Sequence, residues 1–122
     1  MARALLATID HRVEPDSLRV EVTLGWRDVA YVGSALGEPD QRHLPRLVGE
    51  ATLDAVRRID GSRLFELEAV GWSELGDLRV AVAQVREPGK GDLVGSALVR
   101  SGDGLAAVAK AVLDAINRRI TD

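Results

Sequence analysis

The chain has 122 residues, 46% of them hydrophobic and 29% charged, with a net charge of -3; that is the size of one domain with a core of its own and argues against both disorder and a membrane-embedded protein. Without cysteine there are no disulfides, thiolate metal sites or thiol nucleophiles. Sixteen Lys and Arg residues spread among nineteen acids form no basic stripe for nucleic acid.

The N-terminus, Met1 to Ile9, lacks the apolar core of a signal peptide, and no apolar run reaches membrane-spanning length, so the cytoplasm is the expected location. A first strand is expected from about Arg3 to His11, ending at the turn Pro15-Asp16-Ser17. Next, Leu18, Val20, Val22, Leu24 and Trp26 alternate with Arg19, Glu21 and Thr23, a period of two that places one apolar row on one face of a strand. Arg27-Asp28 turns the chain into a third strand over Tyr31 to Leu36. Leu44, Leu47, Val48, Ala51, Ala55 and Ile59 then recur at spacings of three and four, predicting a helix with Asp40 as its cap and Pro45 in its first turn.

A second set of strands follows: Arg63 to Trp72, the segment after Glu74-Leu75-Gly76-Asp77, and a partner beyond the loop Glu87-Pro88-Gly89-Lys90-Gly91. Leu105, Val108, Val112, Ile116 and Ile120 predict a second helix, capped by Ser101 or Asp103. Gly49, Leu53 and Val56 lie off the first helix's main stripe, and Ala107, Ala111 and Ala115 widen the second's, so each helix either makes a second contact, with the other helix or another subunit, or leaves these residues at a half-exposed boundary. Ala81, Ala83 and Val85 make the reverse face of the second middle strand apolar, as a sheet covered on both sides would require.

The two halves repeat. Leu18-Arg19-Val20 recurs as Leu78-Arg79-Val80, which aligns Val22 with Val82 and Arg3, Leu5, Ala7 and Ile9 with Arg63, Phe65, Leu67 and Ala69, an offset of 60. Val32-Gly33-Ser34-Ala35-Leu36 recurs as Val94-Gly95-Ser96-Ala97-Leu98 at an offset of 62, and Leu53-Asp54-Ala55 as Leu113-Asp114-Ala115 at 60. The expected fold is therefore α+β: one domain over 1–122 of tandem β-β-β-α units, 1–61 and 62–122. They are related by a pseudo-twofold, with a largely antiparallel sheet and two helices packed on it. Aromatics are only Trp26, Tyr31, Phe65 and Trp72; so thin a core suggests that association supplies part of the stability.

Two successive β-β-β-α units, each with a Gly-small-residue turn leaving the third strand and an Ala-rich helix, resemble the C-terminal regulatory, or dimerisation, domain of isopropylmalate and citramalate synthases. The likeness is strongest in the second copy, through Leu93-Val94-Gly95-Ser96-Ala97, Asp103, Ala107 and the helix Ala111-Val112-Leu113-Asp114-Ala115-Ile116-Asn117. In the first copy Leu36-Gly37-Glu38-Pro39-Asp40-Gln41 stands where that family runs from a glycine-rich turn straight into the helix. The resemblance implies a homodimer that senses a small anionic metabolite such as an amino or keto acid, with no synthase activity and no cofactor. The alternative is a structural or protein-protein interaction module without a ligand.

Catalytic material is thin. His11 and His43 show no metal-ligand spacing, and Gly-Ser-Ala is not the Gly-x-Ser-x-Gly elbow of a hydrolase. Gly33 and Gly95 are expected where a Cβ would clash with another part of the backbone. The candidate ligand-binding residues are Gly33, Ser34 and Ala35, their repeats Gly95, Ser96 and Ala97, and Ser101 and Asp103 at the second helix start. They are chosen because free backbone N–H groups at helix N-termini attract anions.

Overall fold

The computed structural model describes residues 3–120; Met1, Ala2, Thr121 and Asp122, the outermost residues of the two repeats, lie outside them. β1 (Leu5–Val13), β2 (Leu18–Trp26) and β3 (Val29–Gly37) form one antiparallel sheet. A 3-10 turn (Gln41–His43) leads into α1 (Leu44–Ile59). β4 (Glu66–Leu75), β5 (Leu78–Glu87) and β6 (Gly91–Leu98) form the second antiparallel sheet, followed by α2 (Gly104–Ile120). The strands thus divide into two separate three-stranded sheets.

Each hairpin carries its own turn chemistry. β2 and β3 are joined by Arg27 and Asp28 alone, both with positive φ (50° and 63°), the conformation whose twist matches that of the flanking strands. The corresponding loop between β5 and β6 is one residue longer and uses Gly89 at φ 82°.

The helices lie between the sheets. α1 packs on β2 and β3 and reaches β4 of the other sheet; α2 packs on β5 and β6 and reaches β1. This accounts for their wide apolar stripes. Ala51 and Ala55 of α1 face β3, while Gly49, on the opposite side, sits where a Cβ would meet Leu67 and Val70 of β4. The second contact open to each helix is thus made within the chain.

Pairing partners correct the repeat register. Val22 pairs with Gly33 and Ala83 with Gly95, so Val22 corresponds to Ala83, an offset of 61. Ile9 and Val70 pair with those two residues, and both first strands shift register at the same place, between Leu6 and Thr8 and between Leu67 and Ala69. The offset of 61 therefore holds through the first two strands, where the Leu-Arg-Val identity suggested 60. A one-residue slip reverses every side chain. Ala81, Ala83 and Val85 are the buried row of β5, facing the helices, and Val80 and Val82 are on its outer face. The offset of 62 for the third strands and 60 for the helices stands in the structure.

Of the described glycines, Gly33 and Gly95 lie closest to another stretch of backbone. A Cβ on Gly33 would run into the Ala51 carbonyl and the Ala55 amide and come within 2.8 Å of the Ala55 Cα. One on Gly95 would meet the Ala111 carbonyl and the Ala115 amide and lie 2.9 Å from the Ala115 Cα. These neighbours are backbone, so only a shift of the whole helix would make room. Gly33→Ala or Gly95→Ala is expected to cost about 2–3 kcal/mol or more by overpacking. Gly25→Ala, on a part of β2 with nothing within 4 Å of the new Cβ, is expected to stay within about 0.5 kcal/mol. Urea denaturation of the three variants checks this, and equal midpoints for Gly33→Ala and Gly25→Ala would contradict it.

Candidate functional site

Gly33, Ser34 and Ala35 lie in the middle of β3, and Gly95, Ser96 and Ala97 in the middle of β6. The helix above each glycine is not at its N-terminus: Ala51 lies about two turns inside α1. Nor are the serine amides free. Ser34 N–H donates to Asp54 Oδ2 at 2.9 Å, and Ser96 N–H to Asp114 Oδ2 at 3.0 Å. β3 and β6 each have one unpaired edge, and a helix carboxylate occupies the same point on both.

The other two edges are engaged as well. The Arg46 guanidinium of α1 donates to the carbonyls of Leu67 (2.8 Å) and Glu68 (3.2 Å) at the bulge of β4. Asn117 of α2 is buried, accepts from the Ala4 amide at 3.0 Å and donates to the Ala4 carbonyl at 3.2 Å, just before β1 begins. Asn117 in this way acts as a strand partner for Ala4. In the sequence Leu-Asp-Ala stands out only as a repeated string. Its usable signal was an acid in the same place on two otherwise apolar helix faces.

Ser101 and Asp103 are elsewhere. Ser101 (φ 54°) and Gly102 (φ 73°) form the tight turn before α2, and Asp103 Oδ1 accepts from the Ala106 amide at 3.0 Å. Of the two cap candidates Asp103 is the one used. At the first helix, Asp40 caps the preceding 3-10 turn, and Pro45 occupies the first turn of α1.

Two grooves follow the strand edges and take in four of the candidate residues. The first, about 260 Å³, lies beside β3 and is lined by Ser34, Ala35, Leu53, Asp54, Phe65 and Leu67, among others. The second, about 460 Å³, lies beside β6 and includes Ser96, Ala97, Leu113 and Asp114, closed on the far side by residues Arg3 to Leu6. A third hollow, about 440 Å³, is lined by Arg63, Glu87, Lys90 and Asp60. There the Glu87 carboxylate, 7% exposed, is held by Arg63 (3.0 Å) and lies 3.6 Å from the Arg119 Nε. His11 and His43 are exposed on separate elements, and the described residues contain no group of three or more His, Asp and Glu arranged to hold a metal. Among the described residues no helix is long and apolar enough to cross a membrane.

No protein-family model matches the chain, and none of the curated proteins matches it either.

Hydrogen bonds from the Arg42 side chain and backbone hold the Asp40 carboxyl at about 2, below its ordinary 3.8. A lowered acid pKa means that the contact is present above the ordinary value and is lost as pH falls through the folded one. An NMR titration of the Asp40 side chain is expected to show a midpoint near 2 that moves up towards 3.8 in Arg42→Ala; an unchanged midpoint in that variant would contradict the pairing. For the edge contacts, Asp54→Ala is expected to cost about 1–2 kcal/mol and to speed amide exchange at Ser34 while leaving Ser96 protected. Exchange measured residue by residue checks it.

Proposed function

We propose that this chain is a non-catalytic dimerisation domain that associates with a second copy of itself through the outer face of its second sheet. The observation that carries the reading is a difference between duplicated sheets. The outer face of the first carries Asp10 and Arg12 on β1, Arg19, Glu21 and Thr23 on β2, and Val32 and Leu36 on β3. At the corresponding place the second carries Val80, Val82 and Gln84, flanked by Leu75 and Leu78, by Val94 and Leu98, and by the small residues Ala69, Gly71 and Ser73. Leu75 is 68% exposed and Val94 62%. The third strands match, Val32 and Leu36 with Val94 and Leu98, but the first two strands are charged on one sheet and apolar on the other, so that only the second sheet has an apolar face across all three strands, which favours it as a surface for contact.

Two further features favour a face-to-face partner. Helix side chains already engage all four sheet edges, which discourages strand addition there. The charges on the outer face are gathered at one end, where Arg86 is neutralised by Glu68 (3.2 Å) and Asp92 (3.4 Å), so the apolar part can meet its own copy without burying an unpaired charge. Three strands about 4.8 Å apart and some eight residues long cover roughly 400 Å² in projection. Counted on both partners that is about 800 Å², below the size of a standard stable interface, and it predicts weak, reversible dimers with a Kd weaker than about 1 µM.

Light scattering coupled to size exclusion tests the reading. The mass is expected to rise with concentration from 13.1 kDa towards twice that value. Val82→Lys, a change on the outer face, is expected to hold it at the monomer with an unchanged circular dichroism spectrum. A wild-type chain that stays monomeric up to millimolar concentration, or a Val82→Lys variant that associates as well as the wild type, overturns it.

A further inference from the structure

The two edge grooves are copies of one another, yet they differ in how their charges are used. Beside β3, each charged residue at the rim is matched: Glu50 pairs with Arg46 at 3.1 Å, and Arg57 with Asp54 at 3.4 Å. At the corresponding positions beside β6 stand Lys110 and Asn117, and Arg3 joins from the segment before β1. Asn117 is committed to Ala4, and the Asp114 carboxylate accepts from the Ser96 amide. Neither Lys110 nor Arg3 has an ion pair or side-chain hydrogen bond among the described residues. Leu6, Ala97 and the buried Leu113 give the wall an apolar stretch beside Ser96 and Asp114, and the volume of about 460 Å³ falls within the range of small-molecule sites.

From this we infer that the groove beside β6 binds a small monocarboxylate carrying an apolar tail. The tail lies on Leu6, Ala97 and Leu113, and the carboxylate sits at the mouth with Lys110 and Arg3. Two unpaired cations against the one Asp114 carboxylate leave the groove net positive and favour an anion, and Leu6, Ala97 and Leu113 suit an apolar tail. The first groove, with its charges matched internally and little more than half the volume, offers no such site. The site lies along the middle of α2 and does not include the helix N-terminus or Ser101 and Asp103. It adjoins the dimer contact only at Ser96, whose side chain lies on the outer face beside Val82.

The test is a two-dimensional ¹H–¹⁵N NMR titration of the whole chain with sodium hexanoate, with hexan-1-ol and inorganic phosphate as separate arms. Hexanoate is expected to shift the amides of Ser96, Ala97, Lys110 and Leu113 saturably, leaving Ser34 and Glu50 unmoved. Hexan-1-ol, which has the tail without the charge, and phosphate, which has charge without the tail, are each expected to bind several-fold more weakly. Lys110→Glu is expected to weaken hexanoate roughly fivefold or more, and Arg3→Glu to do the same with an otherwise unchanged spectrum. Any one of the following overturns the inference: no saturable shift with hexanoate, equal responses in the two grooves, hexan-1-ol or phosphate binding as tightly as hexanoate, or affinity indifferent to both charge reversals.

Discussion

The absence of two side chains, at Gly33 and Gly95, fixes how near a helix can come to a strand in each half of the molecule. With those Cβ atoms missing, the backbone of α1 rests on β3 and that of α2 on β6. Each helix is then close enough to extend a carboxylate, Asp54 or Asp114, to the amide of the next residue along the strand. Small residues on the helices continue the same logic. Ala51, Ala55, Ala111 and Ala115 give up burial area per side chain in exchange for close backbone packing, which is how a core whose one buried aromatic among the described residues is Trp26 fills two sheet-helix interfaces.

Much of this was legible in the chain. The strand and helix periods fell where the elements form, and Val-Gly-Ser-Ala-Leu pointed to the close approach at both glycines. What the sequence hid was the register of the repeat. Leu18-Arg19-Val20 and Leu78-Arg79-Val80 are identical strings, but the residue count between copies changes along the chain, so that Val20 corresponds to Ala81. Both rows of β5 are apolar, and alternation alone does not say which faces the helices. The edge contacts were hidden for another reason: Arg46, Asp54, Asn117 and Asp114 meet partners 18 to 113 residues away, and nothing local to them announces it.

Placing both helices between the sheets has consequences for what the molecule can offer a partner. Helix faces are largely used up, and the sheet edges are engaged by Arg46, Asp54, Asp114 and Asn117. What is left is the pair of outer sheet faces and the narrow grooves along the edges. Duplication makes these directly comparable, because each feature in one half has a counterpart in the other. The halves have kept their common interior, with its glycines, alanines and aspartates, and have diverged on the surface: charged against apolar on the outer faces of the first two strands, matched against unmatched charge in the grooves.

The contact on which all of this depends can be observed directly. Nuclear Overhauser effects between the Gly33 Hα protons and the amide of Ala55, and between the Gly95 Hα protons and the amide of Ala115, measure the strand-to-helix approach in each half. Strong effects at both places are the predicted result. Their absence at either one, in a chain that is otherwise folded, would contradict the account of how the halves are built.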